Sequence, residues 1–143
     1  MAQTYQPQGI SPNGRPYTVL VAEPSKFQAK QLQQILESEG YNILAMAEDG
    51  KHLRSLYEQN KNVDLIIMEV CMPVIDGYAA FWDLRDVSPI LPKIFFISEE
   101  NSPGVVKSLL DNGAVDYYIK PIKREKILEK IKLAIEKVNP TFR

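Results

Sequence analysis

The chain has 143 residues, 45% hydrophobic and 24% charged, and its 17 Lys+Arg against 18 Asp+Glu give a formal net charge of -1. That length holds one domain with a real core, and the near-neutral balance excludes a protein whose main task is gripping nucleic-acid phosphates or an anionic membrane. A single cysteine, Cys71, excludes an internal disulfide, and no apolar run approaches the ~20 residues that cross a bilayer.

Residues 1–16 carry Gln, Pro, Gly, Ser and Asn with no apolar stretch of the kind a secretory signal needs. They read as a flexible tail, before a domain over 17–139 and a short tail at 140–143. Five short apolar runs follow. They are Thr18–Ala22, Asn42–Met46, Asp64–Met68, Ile94–Ile97 and Tyr117–Ile119. The first, third and fourth are continuously apolar, as parallel strands covered on both faces require.

Helical patterns alternate with these runs. Ser25-Lys26-Phe27-Gln28 predicts a capping box, in which the Gln28 side chain reaches back to the cap. Leu32, Ile35 and Leu36 form the stripe behind it, and Gly40 supplies a left-handed stop. A second helix starts near Asp49-Gly50 and buries Leu53, Leu56 and Tyr57, with His52 facing solvent. A third runs from about Gly77 to Asp86, capped by Asp76, with Trp82 packing on it. The fourth opens with Ser102 as cap and Pro103 at the first helical position, and turns Val105, Val106, Leu109 and Leu110 inward. The fifth carries Ile127, Leu128, Ile131, Ala134, Ile135 and Val138 at a 3.6-residue period, and Asn139-Pro140 ends it. Its lysines and Lys123 interleave with Glu125, Glu129 and Glu136, which makes a solvated face rather than a nucleic-acid stripe.

Strand–helix alternation repeated five times predicts an open α/β sheet with right-handed crossovers. In such sheets the site lies beyond the carboxyl ends of the strands. The residues in that place are Glu23, Glu69, Ser98 and Lys120.

The segments Val19–Ser25, Asp64–Gly77, Ile94–Ser98 and Gly113–Pro121 are similar to those of response-regulator receiver domains. The Met72-Pro73-Val74-Ile75-Asp76-Gly77 stretch after a strand-end acid and the Lys120-Pro121 pair carry the resemblance. It covers roughly 18–138. Receiver domains are themselves an instance of the strand-end rule. The resemblance implies a flavodoxin-like doubly wound fold with five parallel strands in the order 2-1-3-4-5. It also implies a pocket in which two acids hold Mg²⁺ and an Asp accepts a phosphoryl group from a histidine kinase. A Ser/Thr and a Lys contact the phosphoryl oxygens, and a strand-five aromatic relays the change to the face of helix four, strand five and helix five.

Carried over residue by residue, Glu23 holds one acid position and Pro24 the other. Glu69 stands at the phosphoacceptor position. Ser98, Tyr117 and Lys120 match, and Pro121 follows at a position often preceded by a cis peptide. Glu23, Glu69 and the backbone carbonyl of Cys71 are at most weak metal candidates. Losing the Pro24 carboxylate removes several kcal/mol of attraction for a divalent ion. Glu69 is one methylene longer than Asp, ~1.5 Å of extra reach, where a 1 Å misplacement costs about 10²-fold in phosphoryl transfer.

The expected function is therefore an atypical two-component or phosphorelay receiver, not an enzyme, that works without phosphorylation as a protein-interaction module. Glu69 would pair with Lys120 and imitate part of a phosphorylated pocket, or stand as a leftover acid satisfied by Lys120 and water. The alternative is an active phosphoacceptor using the same pocket with Mg²⁺. A flavin protein is excluded because Glu-Pro-Ser-Lys stands where a phosphate loop would follow strand one. The expected partner is a signalling protein, a histidine kinase or an output protein, met by a cytoplasmic monomer or weak dimer. Cys71 reads as an inert small hydrophobe rather than a redox switch.

Overall fold

The structure is a computed structural model and describes residues 5–137. Strands and helices alternate as β1 (Thr18–Ala22), α1 (Lys26–Ser38), β2 (Asn42–Ala47), α2 (Gly50–Gln59), β3 (Leu65–Met68), α3 (Gly77–Val87), β4 (Ile94–Ser98), α4 (Pro103–Asp111), β5 (Asp116–Ile119) and α5 (Arg124–Glu136). The five strands form one sheet in the order β2-β1-β3-β4-β5, and every pairing is parallel.

Side chains on a strand point alternately to its two faces, so each continuous apolar run supplies two cores. Leu20, Ile66, Met68 and Phe96 point to one face and pack with Leu53 of α2 and Phe81 of α3. Val19, Val21, Ile67 and Phe95 point to the other and pack with Leu36 of α1 and Ile131 of α5. Strands β3 and β4 are buried throughout, whereas the edge strand β2 is exposed or half-buried at all but its last residue. Full burial of each large apolar side chain contributes about 1.5–3 kcal/mol, so these two layers hold the strand ends in place.

The helix starts follow their caps. Ser25, Asp49 and Asp76 accept the backbone N–H of Gln28, His52 and Ala79 at 3.2, 2.7 and 2.8 Å. Gly40, at φ +85°, closes the turn after α1. Three local expectations change. Ser102 makes no side-chain cap bond, and Pro103 alone marks the start of α4. Leu110 is exposed, since it sits about 100° around α4 from Leu109, the residue that the helix buries. The capping box at Ser25 is only half formed, since the Gln28 side chain turns away to Lys120.

Residues 5–16, read from composition as a tail, instead lie against the domain. The Gly9 N–H donates to the Glu39 carbonyl at 2.8 Å, and the Tyr17 N–H donates to the Gly9 carbonyl at 2.8 Å. Gln8 Nε2 donates to the Tyr41 hydroxyl and to the Leu128 carbonyl of α5, both at 2.8 Å. Ile10 and Pro16 form an antiparallel bridge. These are polar and backbone contacts, which leave no hydrophobic pattern to read. Residues 1–4, Val138, the Asn139-Pro140 stop and the tail at 140–143 lie outside the described residues.

Candidate functional site

Four of the five strand ends each deliver one polar residue to the carboxyl edge. Glu23 follows β1, Glu69 follows β3, Ser98 closes β4 and Lys120 follows β5. The loop after β3 is held tightly. The Gly77 N–H donates to the Val70 carbonyl at 2.8 Å. A Cβ at Gly77 would meet the Glu69 carbonyl oxygen at 2.2 Å, so only glycine lets α3 begin here. Val74 in the same loop has φ +67°, a costly conformation for a β-branched residue.

Lys120 sits between the two acids. Its Nζ lies 2.6 Å from Glu23 Oε1 and 2.8 Å from Glu69 Oε1, and it also donates to Gln28 Oε1. The three charged side chains are almost fully buried, at 6%, 2% and 4% exposure for Lys120, Glu23 and Glu69. Glu69 is saturated as well. Its Oε2 accepts the Ser98 hydroxyl and the Cys71 N–H at 3.0 Å, and its Oε1 accepts the Glu99 N–H at 3.3 Å besides Lys120. Glu23 Oε2 takes the Ser25 N–H at 3.0 Å. Burial pushes the Glu69 carboxyl up, but the bonds from Lys120, Ser98 and Cys71 outweigh it and hold the group below its ordinary value. For Lys120, burial favours the neutral amine, and the bonds to Glu23 and Glu69 overcome it and raise the ammonium above its ordinary value.

The fold meets its counterparts among known proteins. A profile of the response regulator receiver domain matches residues 19–132. The chain belongs to that family. A chemotaxis protein CheY of Treponema pallidum is 40% identical over 126 residues, covering 87% of each chain. The transcriptional regulatory protein PdtaR of Mycobacterium tuberculosis is 32% identical, covering 85% of this chain and 58% of its own. Among solved structures, the CheX-CheY-BeF3-Mg+2 complex from Borrelia burgdorferi matches with a TM-score of 0.88 at 31% identity, covering 93% of this chain and 100% of that one. The chain is thus a receiver domain of two-component signalling.

From the receiver pocket a continuous path of hydrogen bonds leads to β5. Ser98 Oγ donates to Glu69 and accepts the Glu100 N–H at 3.0 Å. The Tyr117 hydroxyl donates to the Glu100 carbonyl at 2.5 Å, and its ring stacks on Phe96 with centroids 5.7 Å apart. Tyr117 is 7% exposed, so its ring is packed inside the receiver rather than out on its surface. Burial first, with the nearby Glu69 and Glu100 carboxylates, pushes its phenol up.

The remaining predicted residues fall around this core. Pro121 follows a cis peptide and lies exposed, with its carbonyl accepting the Tyr118 hydroxyl at 3.0 Å. Cys71 is exposed at the rim rather than packed as a small hydrophobe, and desolvation together with Glu69 and Glu100 holds its thiol above the ordinary range. His52 is exposed, and Trp82 packs edge-on against Phe81 under the Arg85 guanidinium. Sequence reasoning missed Gln28. Its one signal, a Gln at the third helical position, pointed to the cap instead.

The residues present do not fit the Mg²⁺ of other receivers. Mg²⁺ needs several oxygens in octahedral array. Here Pro24 offers no side-chain oxygen, and each carboxylate oxygen of Glu23 and Glu69 already accepts an N–H or O–H. Among the described residues no three His, Cys, Asp or Glu side chains come together in a way that could hold a metal ion.

Proposed function

We propose that this receiver sets its own state through side chains and acts as a phosphorylation-independent protein-interaction module in two-component signalling. One observation carries the reading: Lys120 bridges Glu23 and Glu69 while Ser98 donates to Glu69. The Lys and Ser that would contact phosphoryl oxygens are both committed to a carboxylate of the chain. Glu69 supplies one negative charge where a phosphoryl group would bring nearly two. The path through Glu100 to Tyr117 then fixes β5, and the face of α4, β5 and α5 becomes the partner surface. The Borrelia CheY crystallised with CheX is a relative that meets a protein partner, and a signalling protein is the partner proposed here.

Two measurements test this. Incubation with acetyl phosphate and Mg²⁺ leaves the intact mass unchanged; a stable phosphorylated species that disappears in Glu69→Gln would establish the active phosphoacceptor instead. Mg²⁺ titrated by NMR binds at roughly millimolar strength or weaker, as suits a site with few available carboxylates. Pro24→Asp strengthens it. Micromolar binding by the unaltered chain would contradict the proposal.

A further inference from the structure

An ammonium group has three N–H donors and no acceptor. In Lys120 they face three oxygens: Glu23 Oε1, Glu69 Oε1 and Gln28 Oε1. Two of these come from strand ends. The third comes from the first turn of α1, where Gln28 gives its backbone N–H to the Ser25 cap and its side chain to Lys120. The local alternative, reaching back to the cap, has therefore lost to a tertiary bond with a charged donor, which is the stronger kind.

We infer that Gln28 is a positioning residue that completes the donor set of Lys120, tying α1 to the end of β5 and leaving the ammonium no N–H for an incoming phosphoryl oxygen. The inference deepens the self-set pocket proposed above and rests on that reading for its meaning, but its geometry stands alone. Glu23 and Glu69 account for the charge on either side of Lys120; neither fills the third direction. A neutral amide does so without adding a third anion. It thereby keeps the net pocket charge of Glu23, Glu69 and Lys120 at -1. Gln28 is half-buried and close to exposed Phe27, so the tie lies near the surface where α1 begins.

The test is hydrogen exchange at the Lys120 ammonium, followed by ¹⁵Nζ NMR on the full chain. Gln28→Met keeps the length and helix preference of the side chain and removes the acceptor. Exchange should then accelerate about tenfold or more, as the loss of a hydrogen bond to a charged group implies. Gln28→Glu restores an acceptor and should return exchange to the parent rate or slow it further. Phe27→Ala, on the same turn with its side chain in solvent, should leave it unchanged. Equal rates in parent and Gln28→Met would overturn the inference, as would an equal acceleration in Phe27→Ala, which would mean that the turn merely loosened. Should Gln28→Met fold poorly by circular dichroism, Gln28→Glu decides: exchange faster than the parent's refutes the tie. Phosphorylation by acetyl phosphate would defeat the self-set pocket, whereas the exchange rates are read on the unphosphorylated chain and decide the Gln28 tie by themselves, so the two failures are distinguishable.

Discussion

Two glutamates organise opposite edges of one sheet, and they do so differently. Glu69 at the carboxyl edge is sealed with a buried lysine, a buried serine hydroxyl and two backbone N–H groups. Glu39, in the turn between α1 and β2, accepts the Tyr5 hydroxyl, the Gln8 N–H at 3.2 Å and the Arg124 guanidinium at 3.4 Å. Glu39 is itself 9% exposed and Gln8 is half-buried, but its other two partners reach solvent, with Arg124 50% exposed and Tyr5 66% exposed. A cavity of about 720 Å³ opens on the same amino edge, between Arg15, Thr18, Lys61 and Asp64. Water already reaches Arg124 and Tyr5, so it can replace either of them beside Glu39. It cannot readily reach Glu69. Similar sets of contacts therefore carry unequal consequences.

The largest effect expected from this contrast is that of Lys120→Met. It strands two buried carboxylates and should destabilise the fold by about 3–5 kcal/mol in urea unfolding, the usual result of removing one partner of a buried pair. It should also shift the NMR signals of Ser98 and the Tyr117 ring, which lie along the path from the pocket. A variant as stable as the parent, with Tyr117 unmoved, would show the two edges to be equivalent.

A second, smaller difference lies in pH. Glu69 is held below its ordinary 4.5 in the fold, so its contribution is complete above that value and is lost as pH falls through the lower folded pKa. Lys120 is raised above its ordinary 10.5, so its contribution is complete below that value and is lost as pH rises through the higher folded pKa. The stability of the parent should stay flat across neutral pH and fall once the solution is more acidic than 4.5, whereas Lys120→Met, whose stranded carboxylates favour protonation, should gain stability as the pH falls, so the gap between the two narrows from the acidic side. A parent whose own stability changed between pH 6 and pH 8, a range on the order of one ordinary histidine titration, would point to a different group.

The smallest effect belongs to the amino edge. Arg124→Ala removes a solvent-screened partner of Glu39 and should cost at most about 1 kcal/mol, with the Tyr117 signals unchanged. His52→Ala, on the exposed side of α2, should change neither the urea midpoint nor those signals. A large loss from Arg124→Ala would mean that the N-terminal segment is a structural member as firm as the pocket.

The same contrast explains what could be read in advance. Continuous apolar runs such as Leu65–Met68 and Ile94–Ile97 announce buried parallel strands, and the strand-end rule then collects Glu23, Glu69, Ser98 and Lys120 without side-chain detail. The Glu69–Lys120 contact at 2.8 Å follows from that placement. The docking of Gln8 onto the Leu128 carbonyl does not, because a single amide crossing from one end of the chain to the other has no period and no composition. Gln28 was hidden for another reason: its local capping role is a sound expectation on its own, and only the folded neighbourhood reveals the stronger competitor. Leu110 shows the limit of a stripe, which fixes a face but not its last member.

The carboxylate of Glu69 is written into the chain. An acyl phosphate hydrolyses, so a receiver that carries one also carries a clock, and its message expires when the bond breaks. A glutamate side chain has no such lifetime. Under the proposed reading, the duration of the signal passes from chemistry in the pocket to the supply of the molecule itself: how many copies are made, how long they persist, and which competitor occupies their partner.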